Sequence, residues 1–301
     1  MHGDQTPHNV LVIGAAGMLG NAVFRFFADD PGYRAFGTIR SAGQRAHFAP
    51  GLHENLLSGI DVASDSDLMA AFAVARPATV INCVGVIKQA DAVRNHLTTL
   101  ALNALFPHRL VQIAHLSGSR VVHLSTDCVF SGAKGGYTED DFADAGDLYG
   151  RSKFLGEIDY PNAVTLRTSI IGHELDSNRS LIDWFLSQPG PVKGFRKAVF
   201  SGLPTVEIAR VIRDHVIANR DLSGLYHLSA APIDKCTLLG LVNETYGQGT
   251  EIIPDDRLVI DRSLNSDRFR AATGFNPLPW PDLIARMYQD YLRHRPADQA
   301  G

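Results

Sequence analysis

The chain has 301 residues, 45% of them apolar and 20% charged, a composition that supports a large buried core and excludes intrinsic disorder. Its formal net charge of −4, with Lys and Arg spread along the chain, excludes the basic footprint of a nucleic-acid or anionic-membrane binder. No apolar run reaches the ~18–20 residues that span a bilayer, and Met1 to His8 carry neither an apolar nor a basic signal region, so a cytoplasmic protein is expected.

In chain order, Asn9 to Ile13 reads as a buried strand, Met18 to Ala28 as a helix and Arg34 to Ile39 as a second strand. Leu68 to Ala75 reads as a helix opened by the Ser64-x-x-Asp67 capping pattern, and Thr79 to Cys83 as a third strand. A helical stretch from Leu97 to His115, with a disturbance expected at Pro107, leads to a strand at Arg120 to Ser125; a helix around Tyr149 to Glu157 and a strand at Val164 to Thr168 follow. Repeated strand-helix-strand units require a parallel sheet with helices on both faces. The predicted fold class is therefore α/β, a doubly wound parallel sheet (Rossmann fold).

Beyond Thr168 the alternation fades. Gly and Pro become frequent between Pro189 and Pro204, and helices at Val206 to Ile217 and Leu238 to Tyr246 mix with short strands such as Leu225 to Leu228. The predicted division is a main domain over 1–168 and a smaller, mixed α/β C-terminal lobe over 169–301, with some segments returning to the first domain. The tail from Arg295 to Gly301 is expected to fray.

Cys83, Cys128 and Cys236 are far apart and show no ligand spacing, and the twelve histidines form no H-E-x-x-H pattern, so no metal is expected. The first strand instead runs into Gly14-Ala15-Ala16-Gly17-Met18-Leu19-Gly20 and then into a helix. A side chain at Gly14 or Gly17 would obstruct the tight turn or the approach of backbone N–H groups to a pyrophosphate, which the positive helix N-terminus attracts; Gly20 lets helix and strand pack closely. This order predicts dinucleotide binding by the first domain, with the second lobe left for substrate. At the end of the second strand stand Arg40 and Ser41 in place of an acidic ribose ligand. An arginine suits a 2′-phosphate, which favours NADP(H) over NAD(H).

Tyr149 and Lys153 are four residues apart at the start of a helix and project from one face. A carbonyl reduction needs a hydride and a proton for the forming alkoxide; a phenol delivers that proton once a nearby cation lowers its pKa of ~10. A hydroxyl at the end of the Arg120 strand completes the set. Ser125 and Thr126 are both available there, and Thr126 is chosen.

At these residues the sequence resembles the extended short-chain dehydrogenase/reductase family, and within it the dTDP-4-dehydrorhamnose reductases. Gly14 to Gly20 matches the nucleotide fingerprint, and Ser125-Thr126-Asp127-Cys128-Val129-Phe130-Ser131-Gly132, Tyr149-Gly150-Arg151-Ser152-Lys153 and Leu166-Arg167-Thr168-Ser169 resemble the group's other signatures. The resemblance implies Thr126, Tyr149 and Lys153 as catalytic residues. It also implies cofactor contacts from Gly14, Gly17, Met18, Leu19, Gly20, Arg40, Ser41, from Asp61 and Val62, from Cys83, Val84 and Gly85, and from Asn103, Tyr149, Lys153 and Ser169.

The implied substrate is a nucleotide-linked sugar, reduced at a 4-keto group. Val86, Lys88, Asp127, Cys128 and Arg196 are its expected contacts, Lys88 and Arg196 being placed to approach a diphosphate. Cys128 stands where the group commonly has a tyrosine, and Ile170 where a tryptophan usually follows L-R-T-S, so the sugar itself is left open. Two other readings share much of this signature: a nicotinamide-dependent sugar-nucleotide epimerase, and a non-catalytic NADP-binding regulatory subunit resembling the beta subunit of methionine adenosyltransferase. A homodimer is compatible with all of them.

Overall fold

The computed structural model describes residues 7–86 and 95–294. The chain forms two compact units that interleave in sequence. The first takes the chain up to Ser125, then Asp147–Leu166 and Arg220–Leu225; the second takes Thr126–Gly146, Arg167–Asn219 and the chain from Tyr226 onward. Residues 126–146, which the sequence division places in the main domain, thus belong to the second unit.

Along the chain, β1 (His8–Ile13), α1 (Met18–Ala28), β2 (Tyr33–Ile39), β3 (Leu56–Ser58), α2 (Asp65–Ala75) and β4 (Thr79–Asn82) come first. Then follow α3 (His96–Thr99), a wide-turned helical segment Leu100–Leu105, α4 (Phe106–Leu116), β5 (Arg120–Thr126), α5 (Leu148–Leu155) and β6 (Ala163–Thr168). Val10 to Ile13 have no exposed surface, as befits a strand buried on both faces by flanking helices. The Ser64 cap is present, its hydroxyl accepting from Asp67 N at 3.3 Å.

These strands build a seven-stranded sheet in the order β11-β6-β5-β4-β1-β2-β3, parallel at each pairing from β3 to β5. Its last member is β11 (Gly224–His227), a late segment that returns to the sheet as its edge. The chain runs outward from β1 through β2 to β3 and then crosses to β4 on the other side. That reversal of direction opens the sheet's C-terminal end beside β1, where doubly wound sheets bind ligands. Leu11, Ile13, Leu68, Phe72, Phe106 and Leu110 are among the side chains of the core beneath it.

The disturbance expected at Pro107 takes the form of the wide-turned segment Leu100–Leu105 in the turn just before it. The helical path runs on through Leu105 and Phe106, whose N–H still donates to Ala101 O, and Pro107 next in line brings no N–H, so the ladder there is disturbed without ending the helix.

In the second unit, β7 (Ile170–Ile171), α6 (Leu181–Leu186), β8 (Val192–Phe195), β9 (Ala198–Phe200), β10 (Leu203–Pro204) and α7 (Thr205–Val211) are followed by β12 (Ile233–Asp234), α8 (Lys235–Tyr246), β13 (Ile252–Asp255), β14 (Ile260–Asp261), α9 (Asp267–Thr273) and α10 (Trp280–His294). Its strands form three small sheets, β10-β7, β12-β9-β14 and β13-β8. Phe130 and Tyr137 stack with centroids 4.1 Å apart, and the Arg167 guanidinium lies over the Phe130 ring at 5.3 Å. Among the described residues no helix is long and apolar enough to cross a membrane.

Candidate active site

The glycine turn between β1 and α1 is shaped by contacts that leave no room for side chains. Gly14 has φ +85°, and a Cβ there would lie 2.8 Å from Val84 Cγ2. At Gly20 a Cβ would come 2.1 Å from Gly14 O, so α1 packs directly on the turn that precedes it. Gly17 is different, with Gly14 O at 3.5 Å as its near neighbour. It is the N-cap of α1 and brings no side chain to satisfy the first N–H groups, which stay available to an anion beside an exposed backbone. The turn therefore fits a pyrophosphate, with Met18 half-buried and Leu19 buried at the start of the helix.

Around it stand the other expected cofactor residues of the first unit. Arg40 follows β2 with an exposed side chain, while Gln44 Oε1 accepts from the N–H groups of Arg40 and Ser41 at 3.0 and 3.2 Å and fixes the backbone there. Asp61 Oδ1 accepts from Ala63 N at 2.9 Å, closing a turn at the exposed Asp61 and half-buried Val62. The segment from Cys83 to Val86 is held from both ends: Asn82 Oδ1 accepts from Val84 N at 3.0 Å, and Asn103 Oδ1 accepts from Val86 N at 2.8 Å. Asn103 also donates to Val86 O and to Ser152 Oγ, both at 3.2 Å, tying this segment to α5.

Helix α5 starts at the Asp147 cap, whose carboxylate accepts from Gly150 N at 2.8 Å. It carries Tyr149, half-buried, and Lys153, buried, one turn later. Lys153 Nζ donates to Leu124 O on β5 at 2.7 Å, and a Cβ on Gly85 would lie 3.8 Å from the same nitrogen. Lys153 thus reaches both the cofactor-side segment and the strand that ends in Thr126. Burial pushes its pKa down to about 8, against the opposing influence of Glu157 and Cys83. The Cys83 thiol is pushed up to about 12 by burial and stays protonated.

Strand alternation separates the two candidate hydroxyls at the end of β5. Ser125 Oγ donates to Glu157 Oε1 at 2.7 Å and is committed there. Thr126 Oγ1 accepts from Cys128 N at 3.1 Å and donates to Asp127 Oδ1 at 3.3 Å, a geometry that fixes the hydroxyl's direction.

The second unit places Thr126, Asp127, Cys128 and Ser169 together. Burial raises the Asp127 carboxyl above the usual range, opposed by the Arg262 guanidinium and by hydrogen bonds from Cys128, Thr126 and Ser169. Cys128 is pushed up to about 12 by burial and by Asp127, so it is an unreactive thiol lining the cluster. Ile170 follows Ser169 on β7.

Arg196 is not with this cluster's hydrogen-bonded groups: its guanidinium grips Asp256 through two bonds at 2.7 and 2.8 Å on an exposed surface. Lys88 lies outside the described residues. Two cations that the sequence reading missed, Arg262 and Lys235, face Asp127 electrostatically. Both are more than a hundred residues from it in the chain and have no local pattern that announces them.

The reversal of strand order beside β1, the glycine turn on α1 and the tyrosine and lysine of α5 define a dinucleotide-binding oxidoreductase of the extended short-chain dehydrogenase/reductase type. The chain belongs to the family described as RmlD substrate binding domain, whose model matches residues 8–244. It is 30% identical over 246 residues to methionine adenosyltransferase 2 subunit beta of Danio rerio, covering 76% of this chain and 72% of that protein. It is 34% identical over 165 residues to a probable dTDP-4,6-dihydroxy-2-methyloxan-3-one 4-ketoreductase of Streptomyces antibioticus, 53% of this chain and 50% of the relative. Among solved structures, dTDP-4-dehydrorhamnose reductase of Bacillus anthracis in complex with NADP superposes with a TM-score of 0.75 at 18% identity, over 95% of this chain and 100% of that one. At that identity the likeness shows the fold.

Proposed function

We propose that this protein is an NADPH-dependent reductase acting on the 4-keto group of a nucleotide-linked 6-deoxy sugar. The observation that carries the reading is the Lys153 ammonium, buried and bonded to Leu124 O on the strand that ends in Thr126, with Tyr149 one turn before it on α5. Names among the relatives support it: the curated ones include the Streptomyces ketoreductase and a Streptomyces griseus dTDP-4-dehydrorhamnose reductase, 30% identical over 148 residues.

NADP(H) would be held by Gly14, Gly17 and the first turn of α1, with Arg40 toward the 2′-phosphate and NAD(H) as the weaker alternative; once bound it supplies the hydride. Tyr149 gives its phenolic proton to the sugar C4 oxygen, and Lys153 lowers the phenol's proton affinity and holds the ribose. Thr126 would donate to the same sugar oxygen by turning its one hydroxyl proton away from Asp127, a bond of 3.3 Å and longer than the one that holds Ser125. Val86, Asp127 and Cys128 line the sugar, and Arg196, engaged by Asp256, is withdrawn from that role. In this reading the enzyme works in the cytoplasm, and a homodimer is a compatible assembly.

One observation favours a second reading. The similarity to methionine adenosyltransferase 2 subunit beta covers more of this chain than the match to the Streptomyces ketoreductase, which supports an NADP-binding regulatory subunit. Oxidation of NADPH followed at 340 nm across a set of nucleoside-diphosphate 4-keto-6-deoxy sugars decides between them. Steady turnover with one sugar is the result expected; tight NADPH binding with no turnover on any of them would overturn the reductase reading.

A further inference from the structure

Two bonds fasten the end of α5 to the end of β5. Lys153 Nζ donates to Leu124 O at 2.7 Å, and Ser125 Oγ donates to Glu157 Oε1 at 2.7 Å. Leu124 and Ser125 are neighbours on the strand, and they are bonded by Lys153, on α5, and by Glu157, two residues past its end. The Glu157 N–H donates to Phe154 O at 3.1 Å. The intervening Gly156 lets this end come close to the segment before α4, since a Cβ there would lie 1.9 Å from Asn103 O. The ammonium and the carboxylate are thus held at adjacent residues of β5, where each feels the other's charge.

We propose that Glu157 is a positioning residue, which keeps Lys153 in its ammonium form by facing it with a carboxylate that Ser125 holds in place. The assignment rests on the role given to Lys153 under Proposed function.

The other groups that face Lys153 cannot supply that charge. Cys83, at the end of β4, is a thiol pushed up to about 12 by burial and is neutral where Lys153 titrates. His123, on β5, is held well below the usual histidine range by burial, with Lys153 and His108 adding to the effect, and is likewise neutral. Tyr149, on the same helix, is the proton donor of the reaction and spends the cycle between phenol and phenolate. Glu157 is the largest influence opposing the burial cost of Lys153, and burial has already brought that lysine down to about 8, close to working pH. Loss of the carboxylate would carry it lower, so that the cation would be lost as pH rises through the neutral range.

The test is a direct titration of Lys153 by NMR in protein labelled with ¹³C at lysine Cε, the signal being assigned by its loss in Lys153→Met. A midpoint near 8 is expected in the parent. In Glu157→Gln it should fall by about one unit, a tenfold loss of proton affinity. Glu157→Asp should recover part of the shift, and Ser125→Ala should move it in the same direction by less. NADPH affinity, measured over the same pH range, should weaken about tenfold in Glu157→Gln above both midpoints.

An unmoved Lys153 midpoint in folded Glu157→Gln would overturn the assignment; if that variant does not fold, an unmoved midpoint in both Glu157→Asp and Ser125→Ala overturns it equally. Because neither readout requires turnover, a protein that reduces no 4-keto sugar sinks the reductase reading alone. Full turnover with an unshifted midpoint sinks the Glu157 assignment alone.

Discussion

Gly20 lies against the carbonyl of Gly14 so closely that a Cβ on the later residue would sit 2.1 Å from the oxygen of the earlier one. No rotamer relieves such an approach, because both partners are backbone. Gly20→Ala should therefore shift α1 away from the turn and cost several kcal/mol, on the order expected when a buried close contact is overfilled. Gly17→Ala meets Gly14 O only at 3.5 Å and should fold nearly as well. Its methyl would stand instead over the exposed N–H groups, and NADPH affinity should fall. Thermal melts beside NADPH titrations separate the two effects; equal melting temperatures for both variants would remove the packing argument.

In the proposed reading, cofactor choice turns on Arg40. Its exposed guanidinium, placed after β2 by the Gln44 clamp on its backbone, should make NADPH bind roughly tenfold to a hundredfold more tightly than NADH, the ~1.5–3 kcal/mol of a charge-assisted bond. Arg40→Ala should narrow that ratio with little change in NADH affinity. If the parent bound both cofactors alike, 2′-phosphate recognition would have to lie elsewhere.

For the chemistry, Tyr149→Phe removes one hydroxyl from a half-buried ring and leaves the glycine turn and the Lys153 bond untouched. Turnover should fall by at least ~10²-fold with NADPH affinity nearly unchanged. Lys153→Met, by contrast, should weaken both. Stopped-flow reduction and equilibrium NADPH binding on the same preparations give the split, and retained turnover in Tyr149→Phe would move the proton donor to another residue.

Acid should destabilise the protein through His227. Its Nδ1 lies 3.0 Å from Tyr137 O and its Nε2 3.2 Å from Arg167 Nη1, so the ring donates to a carbonyl and accepts from a guanidinium, an arrangement open only to neutral imidazole. Burial, with Arg167 adding to it, pushes its pKa down to about 4. The unfolded chain takes up the proton near 6.5 and the folded one only near 4, so this stability is complete above 6.5 and is lost as pH falls through that window. The loss is on the order of 3 kcal/mol. Urea melts at pH 7.5, 5.5 and 4.5 should show a steeper decline for the parent than for His227→Gln; parallel declines would exclude His227 as a source.

The parts of the structure that were legible in the sequence are those whose pattern is local. β1 announces itself because both of its faces are covered, which forces Val10 to Ile13 to be apolar without interruption. The turn is readable because Gly14 and Gly20 answer backbone demands and Gly17 leaves the helix N-terminus bare, all within seven residues. β7 and β10, two residues each, are too short to show a period. The pairing of Arg196 with Asp256, sixty positions apart, leaves no mark in either neighbourhood. Helix α10 is another matter: Trp280, Leu283, Ile284 and Met287 are buried at helical spacing, a readable signal that the fading of the strand-helix alternation hid. Among site residues, Thr126 and Lys153 stand in short signatures, whereas Arg262 and Lys235 reach Asp127 only through the folded chain.

The edge position of β11 restricts how this chain can be divided. A fragment stopping after β6 would contain the glycine turn, Tyr149 and Lys153, yet it would leave the outer hydrogen-bonding row of β6 bare, because the strand that covers it arrives only at Gly224–His227. A naked strand edge of that kind recruits strands from other molecules. The nucleotide-binding half is thus not a detachable cassette: gene truncation or domain exchange at the apparent boundary would yield a sheet prone to self-association, and only a circularly rearranged chain that keeps the late strand beside β6 could free it.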